Sequence, residues 1–316
     1  MTEPLLVLHA LHDTYLDMFR AAGLEPYRGW NKADHVAADA EIASELRILL
    51  TSGSRGLTAE EMDTYPKLEM VLALGAGYEN IDHKAARARG LVVTHGPGAN
   101  ARQVADHAMA LILGTMHKIA QGDAAVRAGR WSQFRRDLHP SISGRKLGVL
   151  GLGRIGREIA KSGSGGFAMP IGYTARNPRS DVDYSYFEDP IALARWADVI
   201  AIATPGGDGT RHLVNAAFLE ALGSDGYLVN IARGSVVDTD ALIEALKTGV
   251  IAGAGLDVIE GEPEVPAALL ACDTVVFTPH IGGHAPEAVK ATVELAIENI
   301  QAHLAGKPVL TPVPEK

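Results

Sequence analysis

Short apolar runs alternate along the chain with longer stretches whose apolar positions recur at helical spacing. In residues 1–98 the runs Leu5–Leu8, Ile48–Thr51, Met70–Leu74 and Leu91–Thr94 predict strands. Helical stretches between them include Asp34–Leu46 and Ala59–Tyr65. Strands alternating with helices predict a parallel sheet covered on both faces.

Gly96-Pro97-Gly98 breaks this series. A long helix is predicted over Asn100–Ile119, with Asn100 as N-cap. Val104, His107, Ala108, Leu111, Ile112 and Thr115 share one face of it. A second series of strands follows at Leu147–Leu150, Ile171–Thr174, Val199–Ala203, Tyr227–Ile231, Gly253–Asp257 and Val275–Thr278. The closing helix, Pro286–Leu304, is long enough to return to the first series. The predicted organisation is a discontinuous domain, 1–99 with 286–316, into which a second domain, 100–285, is inserted. The crossings near 100 and 286 are expected to act as hinges. No short-period repeat is present; two successive doubly wound sheets are a coarse duplication.

The loop after the first strand of the second series is Leu150-Gly151-Leu152-Gly153-Arg154-Ile155-Gly156. With a buried strand before it and a helix after it, G-x-G-x-x-G predicts a dinucleotide site in a Rossmann-type domain. Gly151 permits the tight turn, Gly153 the approach of backbone to a pyrophosphate, and Gly156 close packing of helix on strand. Amides at the helix start face the anion. Ser162-Gly163-Ser164-Gly165-Gly166 is expected to loosen the far end of that helix.

Composition narrows the classes. A length of 316 residues fits two domains, and 47% hydrophobic with 21% charged residues is ordinary for a globular protein. A formal charge of −9 argues against a nucleic-acid binder. Cys272 is the sole cysteine, so no internal disulfide forms, which fits a cytoplasmic location. The first residues lack a basic n-region and read as a strand. No apolar run reaches the 18 or more residues of a membrane span. No Cys/His cluster or HExxH pattern is present, so no metal is expected.

Three later segments place reactive groups after strands. Asn230-Ile231-Ala232-Arg233-Gly234 puts a guanidinium fork at the carboxyl edge of the sheet, where it can pair both oxygens of a carboxylate. Asp257-Val258-Ile259-Glu260-Gly261-Glu262-Pro263 carries three carboxylates. Thr278-Pro279-His280-Ile281-Gly282-Gly283 holds a histidine on a constrained loop. Histidine titrates near neutrality, and a neighbouring carboxylate favours its charged form. A His–Glu pair beside an arginine and a dinucleotide suits hydride transfer to a 2-oxo acid, with the histidine as proton donor.

With Leu74-Gly75-Ala76-Gly77-Tyr78-Glu79-Asn80-Ile81-Asp82 and Val104-Ala105-Asp106-His107 added, these motifs occur in one order over nearly the whole length. In that set and order the chain resembles the D-isomer-specific 2-hydroxyacid dehydrogenases. The resemblance implies an α/β protein with a Rossmann domain inserted into a flavodoxin-like substrate domain. It implies Arg233 as the substrate-binding arginine, Glu262 as the partner carboxylate and His280 as the acid/base. Ala76 and Gly77 would be backbone donors to the substrate carboxylate. Cofactor contacts are implied at Val104, Gly151–Gly156, Ala175, Arg176, Asn177, Thr204, Pro205, Ile231, Ala232, Asp257, His280 and Gly282. The family also implies a homodimer built through the nucleotide domains and a cleft that closes about the hinges.

The second strand of the nucleotide domain leads into Ala175-Arg176-Asn177-Pro178-Arg179. An acid some 20 residues past the glycines would bind a ribose 2′-hydroxyl. By the family pattern that position is Ala175, which repels no phosphate; Arg176 can pair with one and Asn177 can donate to it. Asp181 and Asp183 come too late to substitute. The expected cofactor is NADP(H), with NAD(H) as the alternative, as in the glyoxylate/hydroxypyruvate reductase branch. Hydroxypyruvate and glyoxylate are the expected substrates by that resemblance, with 2-ketogluconate reduction as the alternative. His9–His12 and Thr51–Ser54, expected on the substrate side, hold no obvious anchor for a long or charged tail. A dinucleotide-sensing corepressor would share the fold, but the Arg233, Glu262 and His280 set argues against it. A formate enzyme would be expected to carry Gln in place of Glu262; phosphite chemistry is less easily excluded.

Overall fold

The computed structural model describes residues 2–314. The chain forms two compact units, Met1–Asn100 with His284–Lys316, and Ala101–Gly283.

The first unit begins with β1 (Glu3–Val7), α1 (Asp13–Ala21), β2 (Leu24–Arg28), α2 (Lys32–Ile42), β3 (Ile48–Ser52), α3 (Ala59–Asp63), β4 (Met70–Leu74), α4 (His83–Ala88) and β5 (Val92–His95). All pairings in its five-stranded sheet are parallel, in the order β2-β1-β3-β4-β5. β2 was not expected. It contains Glu25, Pro26 and Arg28, and it is tolerated because it pairs only with β1, at the edge, where a missing N–H costs no ladder bond. The helix expected over Asp34–Leu46 runs from Lys32 to Ile42; it starts earlier because Asn31 accepts the Asp34 N–H at 3.0 Å and caps it. The helix expected over Ala59–Tyr65 stops at Asp63; its start is a capping box between Thr58 and Glu61.

The second unit contains α5 (Ala101–Met116), α6 (Ile119–Arg127), α7 (Trp131–Phe134), β6 (Leu147–Leu150), α8 (Arg154–Phe167), β7 (Ile171–Thr174), β8 (Ser185–Tyr186), α9 (Pro190–Trp196), β9 (Val199–Ile202), α10 (Ala216–Leu222), β10 (Tyr227–Asn230), α11 (Thr239–Lys247), β11 (Gly253–Leu256), α12 (Ala267–Leu270) and β12 (Val275–Phe277). The helix expected to run unbroken to Ile119 is two helices. Lys118 adopts a left-handed conformation (φ 50°), which ends α5 and redirects the chain into α6. The Asn100 side chain does not cap α5 as expected, for its Oδ1 accepts no hydrogen bond. The loosening expected at Ser162–Gly166 does not occur. α8 continues to Phe167, and a Cβ at Gly163 would lie 2.7 Å from Leu147, so this glycine lets the helix settle on β6.

Seven parallel strands are ordered β12-β11-β10-β9-β6-β7-β8 in the second unit. Strand order reverses at β6, which makes the crevice beside its carboxyl end the ligand position of a doubly wound sheet. Successive strand residues face opposite sides. Val149, Ala201 and Val229 pack with Ala105, Ala108, Ile112 and Ile159; Leu150, Ile200, Ile202 and Leu228 pack with Leu193, Phe218 and Leu242. Each fully buried Leu or Val contributes about 1.5–3 kcal/mol, which holds the strand ends in place.

The closing helix α13 (Pro286–Leu304) belongs to the first unit. Its Val293, Ala296 and Ile300 join Leu5, Val7, Phe19, Ile48, Leu50, Met70 and Leu72 in one core. The opposite face of that sheet is buried under Ile42, Leu57 and Met62.

Candidate active site

In the second unit, Thr174, Leu150, Ile202, Asn230, Leu256 and Phe277 stand in register across six strands. The sequence-predicted residues of this unit, Val104 excepted, lie just past that line. They are Gly151–Gly156, Ala175–Asn177, Thr204, Pro205, Ile231–Arg233, Asp257, Glu262, His280 and Gly282. One edge of one sheet therefore carries the whole set.

At the β6 end, Gly151 has φ +104°, and a Cβ there would lie 2.9 Å from the backbone of Thr204 on the neighbouring β9 loop. A Cβ at Gly156 would lie 2.2 Å from the Gly151 carbonyl oxygen. A Cβ at Gly153 would meet nothing within 4 Å. Two glycines thus close the turn and the third faces open space. Gly153 is the N-cap of α8, whose first-turn amides have no intrahelical acceptors. This shape and dipole fit a dinucleotide pyrophosphate. Leu152 is buried and its N–H donates to the Thr174 carbonyl at 3.1 Å, so it shapes the loop. Val104 is a core residue of α5.

The β7 end is polar and exposed at Arg176 and Asn177, while Ala175 is half-buried. The Arg179 N–H donates to the Tyr173 hydroxyl at 2.7 Å. Arg157, one turn into α8, grips Asp181 with two contacts of 2.8 and 3.0 Å. The hydrogen bond from Arg157 holds the Asp181 carboxyl below its ordinary range. That acid is neutralised by its partner, and Arg176 is left as a cation beside Ala175.

At the β10 end, buried Asn230 folds the arginine loop. Its Oδ1 accepts the Ala232 N–H at 3.0 Å, and its amide donates to the Arg233 carbonyl at 2.9 Å. The Arg233 guanidinium donates to the Ala232 carbonyl at 2.6 Å. A Cβ at Gly206 would lie 2.8 Å from the Arg233 side chain, so that glycine makes room for its stem. The neighbouring loop carries Glu262, whose Oε1 accepts the Ile259 N–H at 3.3 Å and whose Oε2 lies 2.8 Å from His280 Nδ1. A carboxylate only accepts, so Nδ1 donates and the outer ring nitrogen, Nε2, is left for proton transfer.

His280 itself has φ +55°, a left-handed conformation that costs a non-glycine residue of order 1–3 kcal/mol. Asp257 maintains it. The Asp257 carbonyl accepts the His280 N–H at 2.8 Å. Its carboxylate, 3% exposed, accepts the Ile281 and Gly282 N–H groups at 2.9 Å each and the Thr278 hydroxyl at 2.6 Å. His107 Nε2 lies 2.8 Å from the Thr278 hydroxyl and 3.3 Å from Asp257. Burial pushes the Asp257 carboxyl upward, but the hydrogen bonds from His107, Thr278, Ile281 and Gly282 outweigh it and bring it down to about 2. The positioning parts played by Asn230, Thr278 and His107 were not read from sequence; their signal is a polar side chain within an otherwise apolar strand end or helix face.

Ala76 and Gly77 lie after β4 in the first unit. Among the described residues, no three His, Cys, Asp or Glu side chains converge as a metal site, and no helix is long and apolar enough to cross a membrane.

The sequence of residues 109–282 matches the D-isomer specific 2-hydroxyacid dehydrogenase, NAD binding domain. The chain belongs to this family. As a 2-hydroxyacid dehydrogenase it is an NAD(P)-dependent oxidoreductase that interconverts 2-oxo and 2-hydroxy acids. It is 36% identical over 303 residues to hydroxyphenylpyruvate reductase of Plectranthus scutellarioides, covering 95% of this chain and 96% of that one. A glyoxylate/hydroxypyruvate reductase A of Arabidopsis thaliana is 38% identical over 270 residues, with 85% and 86% covered. The fold superposes with a TM-score of 0.89 on the NADPH-dependent glyoxylate/hydroxypyruvate reductase of Sinorhizobium meliloti in complex with NADP and malonate. That reductase is 36% identical, with 99% of this chain and 97% of that chain covered.

Proposed function

We propose that this protein is an NADPH-dependent reductase of small 2-oxo acids, hydroxypyruvate and glyoxylate, yielding D-2-hydroxy acids. The observation that carries the chemistry is the 2.8 Å contact between His280 Nδ1 and Glu262. It orients the ring and leaves Nε2 to deliver a proton to the substrate carbonyl oxygen. NADPH, when bound, supplies the hydride for the carbonyl carbon. Arg233 pairs with the substrate carboxylate, and Ala76 and Gly77 add backbone N–H donors to it.

The cofactor preference rests on Ala175, Arg176 and Asn177. With no acid at 175 and Asp181 engaged by Arg157, a 2′-phosphate meets the Arg176 cation without a competing carboxylate. The substrate range follows the two glyoxylate/hydroxypyruvate reductases named above. The working unit is a homodimer formed through the nucleotide-binding unit. In support, Ile119, Val126, Trp131 and Leu138 are exposed, Trp131 at 62% and Leu138 at 93%, on the segment from α6 to just past α7.

A spectrophotometric panel of 2-oxo acids from glyoxylate to 2-ketogluconate, run with NADPH and with NADH, tests the reading. Highest kcat/KM for hydroxypyruvate or glyoxylate with NADPH is expected. Equal use of both cofactors, or a preference for NADH, would overturn the cofactor assignment.

A further inference from the structure

The loop after β4, residues 75–80, is held on several sides within its own unit. The Gly96 N–H donates to the Gly75 carbonyl at 2.6 Å, and the Leu57 N–H to the Asn80 carbonyl at 3.2 Å. Glu79 accepts the Tyr78 N–H at 2.8 Å, and His83 Nε2 donates to the Tyr78 carbonyl at 2.9 Å. The backbone of Gly53 presses on the loop so closely that a Cβ there would lie 2.4 Å from the Gly77 carbonyl carbon. The Tyr78 ring stands edge-on between the imidazoles of His83 and His95, with centroids 5.2 and 4.8 Å away.

His95 makes the contact with the most direct consequence. Its Nδ1 lies 2.9 Å from the Ala76 carbonyl oxygen. A carbonyl only accepts, so Nδ1 carries the hydrogen. The residue is itself pinned, because its N–H donates to the Thr311 carbonyl at 3.1 Å and its carbonyl accepts the Thr311 hydroxyl at 2.6 Å. The Ala76 carbonyl and the Gly77 N–H belong to one trans peptide plane and point in opposite directions. Fixing the carbonyl therefore aims the N–H. The N–H groups of Ala76 and Gly77 meet no acceptor among the described residues.

We propose that His95 is a positioning residue for substrate binding: it fixes the Ala76–Gly77 peptide so that the Gly77 N–H is presented to the carboxylate of the 2-oxo acid. The inference rests on the proposed 2-oxo-acid reductase reading and adds to it a determinant of substrate affinity that touches neither cofactor nor reacting atoms. Without the imidazole the peptide can rotate, and ordering it is charged to each binding event.

The test exploits which ring nitrogen is used. An Asn amide nitrogen replaces Nδ1; a Gln amide nitrogen replaces Nε2. His95→Gln should raise KM for hydroxypyruvate roughly tenfold, as expected for loss of one orienting hydrogen bond, with kcat and the KM for NADPH within about twofold. His95→Asn should stay within about threefold of wild type on all three. Thermal melting separates folding from binding. At His83, which uses Nε2, the pattern should invert, with Gln tolerated and Asn impaired, so the same loop is read even if His95→Gln does not fold. Unchanged KM in a folded His95→Gln, or equal damage from Asn and Gln, overturns the proposal. A wild-type protein that reduces no 2-oxo acid overturns the proposed function itself, whereas an active wild type with indifferent His95 variants overturns this inference alone.

Discussion

His280 Nδ1 lies 2.8 Å from Glu262 Oε2, although eighteen positions separate the two residues in sequence. Their loops follow adjacent parallel strands, β12 and β11, paired Phe277 to Leu256. His280→Ala removes the proposed proton donor and should lower kcat by about 10²–10⁴-fold. Glu262→Gln keeps the loop contacts but not the charge, and should lower kcat less. Steady-state kcat and KM for each variant check this; wild-type turnover in His280→Ala would refute the assignment.

Arg176→Ala should reduce kcat/KM for NADPH by roughly 10–100-fold, the worth of one charge-assisted hydrogen bond, and leave NADH little changed. Arg157→Gln releases Asp181 toward the same region and should also penalise NADPH. Adding Asp181→Asn should restore it. The ratio of the two specificity constants is the readout, and a double variant no better than Arg157→Gln would show that Asp181 plays no part.

The three glycines of the nucleotide loop should separate cleanly on substitution by alanine. Gly156→Ala drives a methyl into the Gly151 carbonyl, 2.2 Å away, and should cost about 1–3 kcal/mol of stability. Gly153→Ala meets no protein atom and its backbone has φ −84°, so the melting temperature should hold while KM for NADPH rises. Melting curves with and without NADPH distinguish the two; equal destabilisation would contradict the open space at Gly153.

Asp257 has a folded-state value of about 2 against an ordinary 3.8. For a depressed carboxyl, the stabilisation is complete above the unfolded value and is lost as pH falls through the folded one. The contribution, roughly 2 kcal/mol, should be present above about pH 4 and vanish toward pH 2. Asp257→Asn should therefore melt below wild type at neutral pH, with the gap closing in acid. A gap independent of pH between 5 and 2 would mean that the carboxylate charge is not what holds the His280 loop.

Strands β1, β3 to β7 and β9 to β12 were legible because each is a short, largely apolar run, nearly continuous in the central strands that are buried on both faces. β2 and β8 were not, because polar residues or proline interrupt them, Glu25, Pro26 and Arg28 in β2 and Ser185 in the two-residue β8. The break at Lys118 was invisible because the apolar periodicity continues across it and a left-handed lysine leaves no compositional mark. Arg233, Glu262 and His280 were legible as reactive residue types after strands. The cradle around His280 was not, since nothing local in the sequence joins Asp257 to Thr278, 21 positions on, or to His107.

The chain by itself determined which residues could do chemistry and roughly where each strand ended, because local apolar pattern and glycine spacing encode strand, turn and helix start. Only the tertiary structure decided how those residues are held. The strand order brings the ends of β10, β11 and β12 side by side, and parallel register puts Asn230, Leu256 and Phe277 on one line. The bonds that then set the geometry, Asp257 to Gly282, Arg157 to Asp181 and His95 to Ala76, join residues 25, 24 and 19 positions apart. No local pattern encodes such pairs; they exist because the close-packed sheets and helices leave each polar group only a few partners within reach.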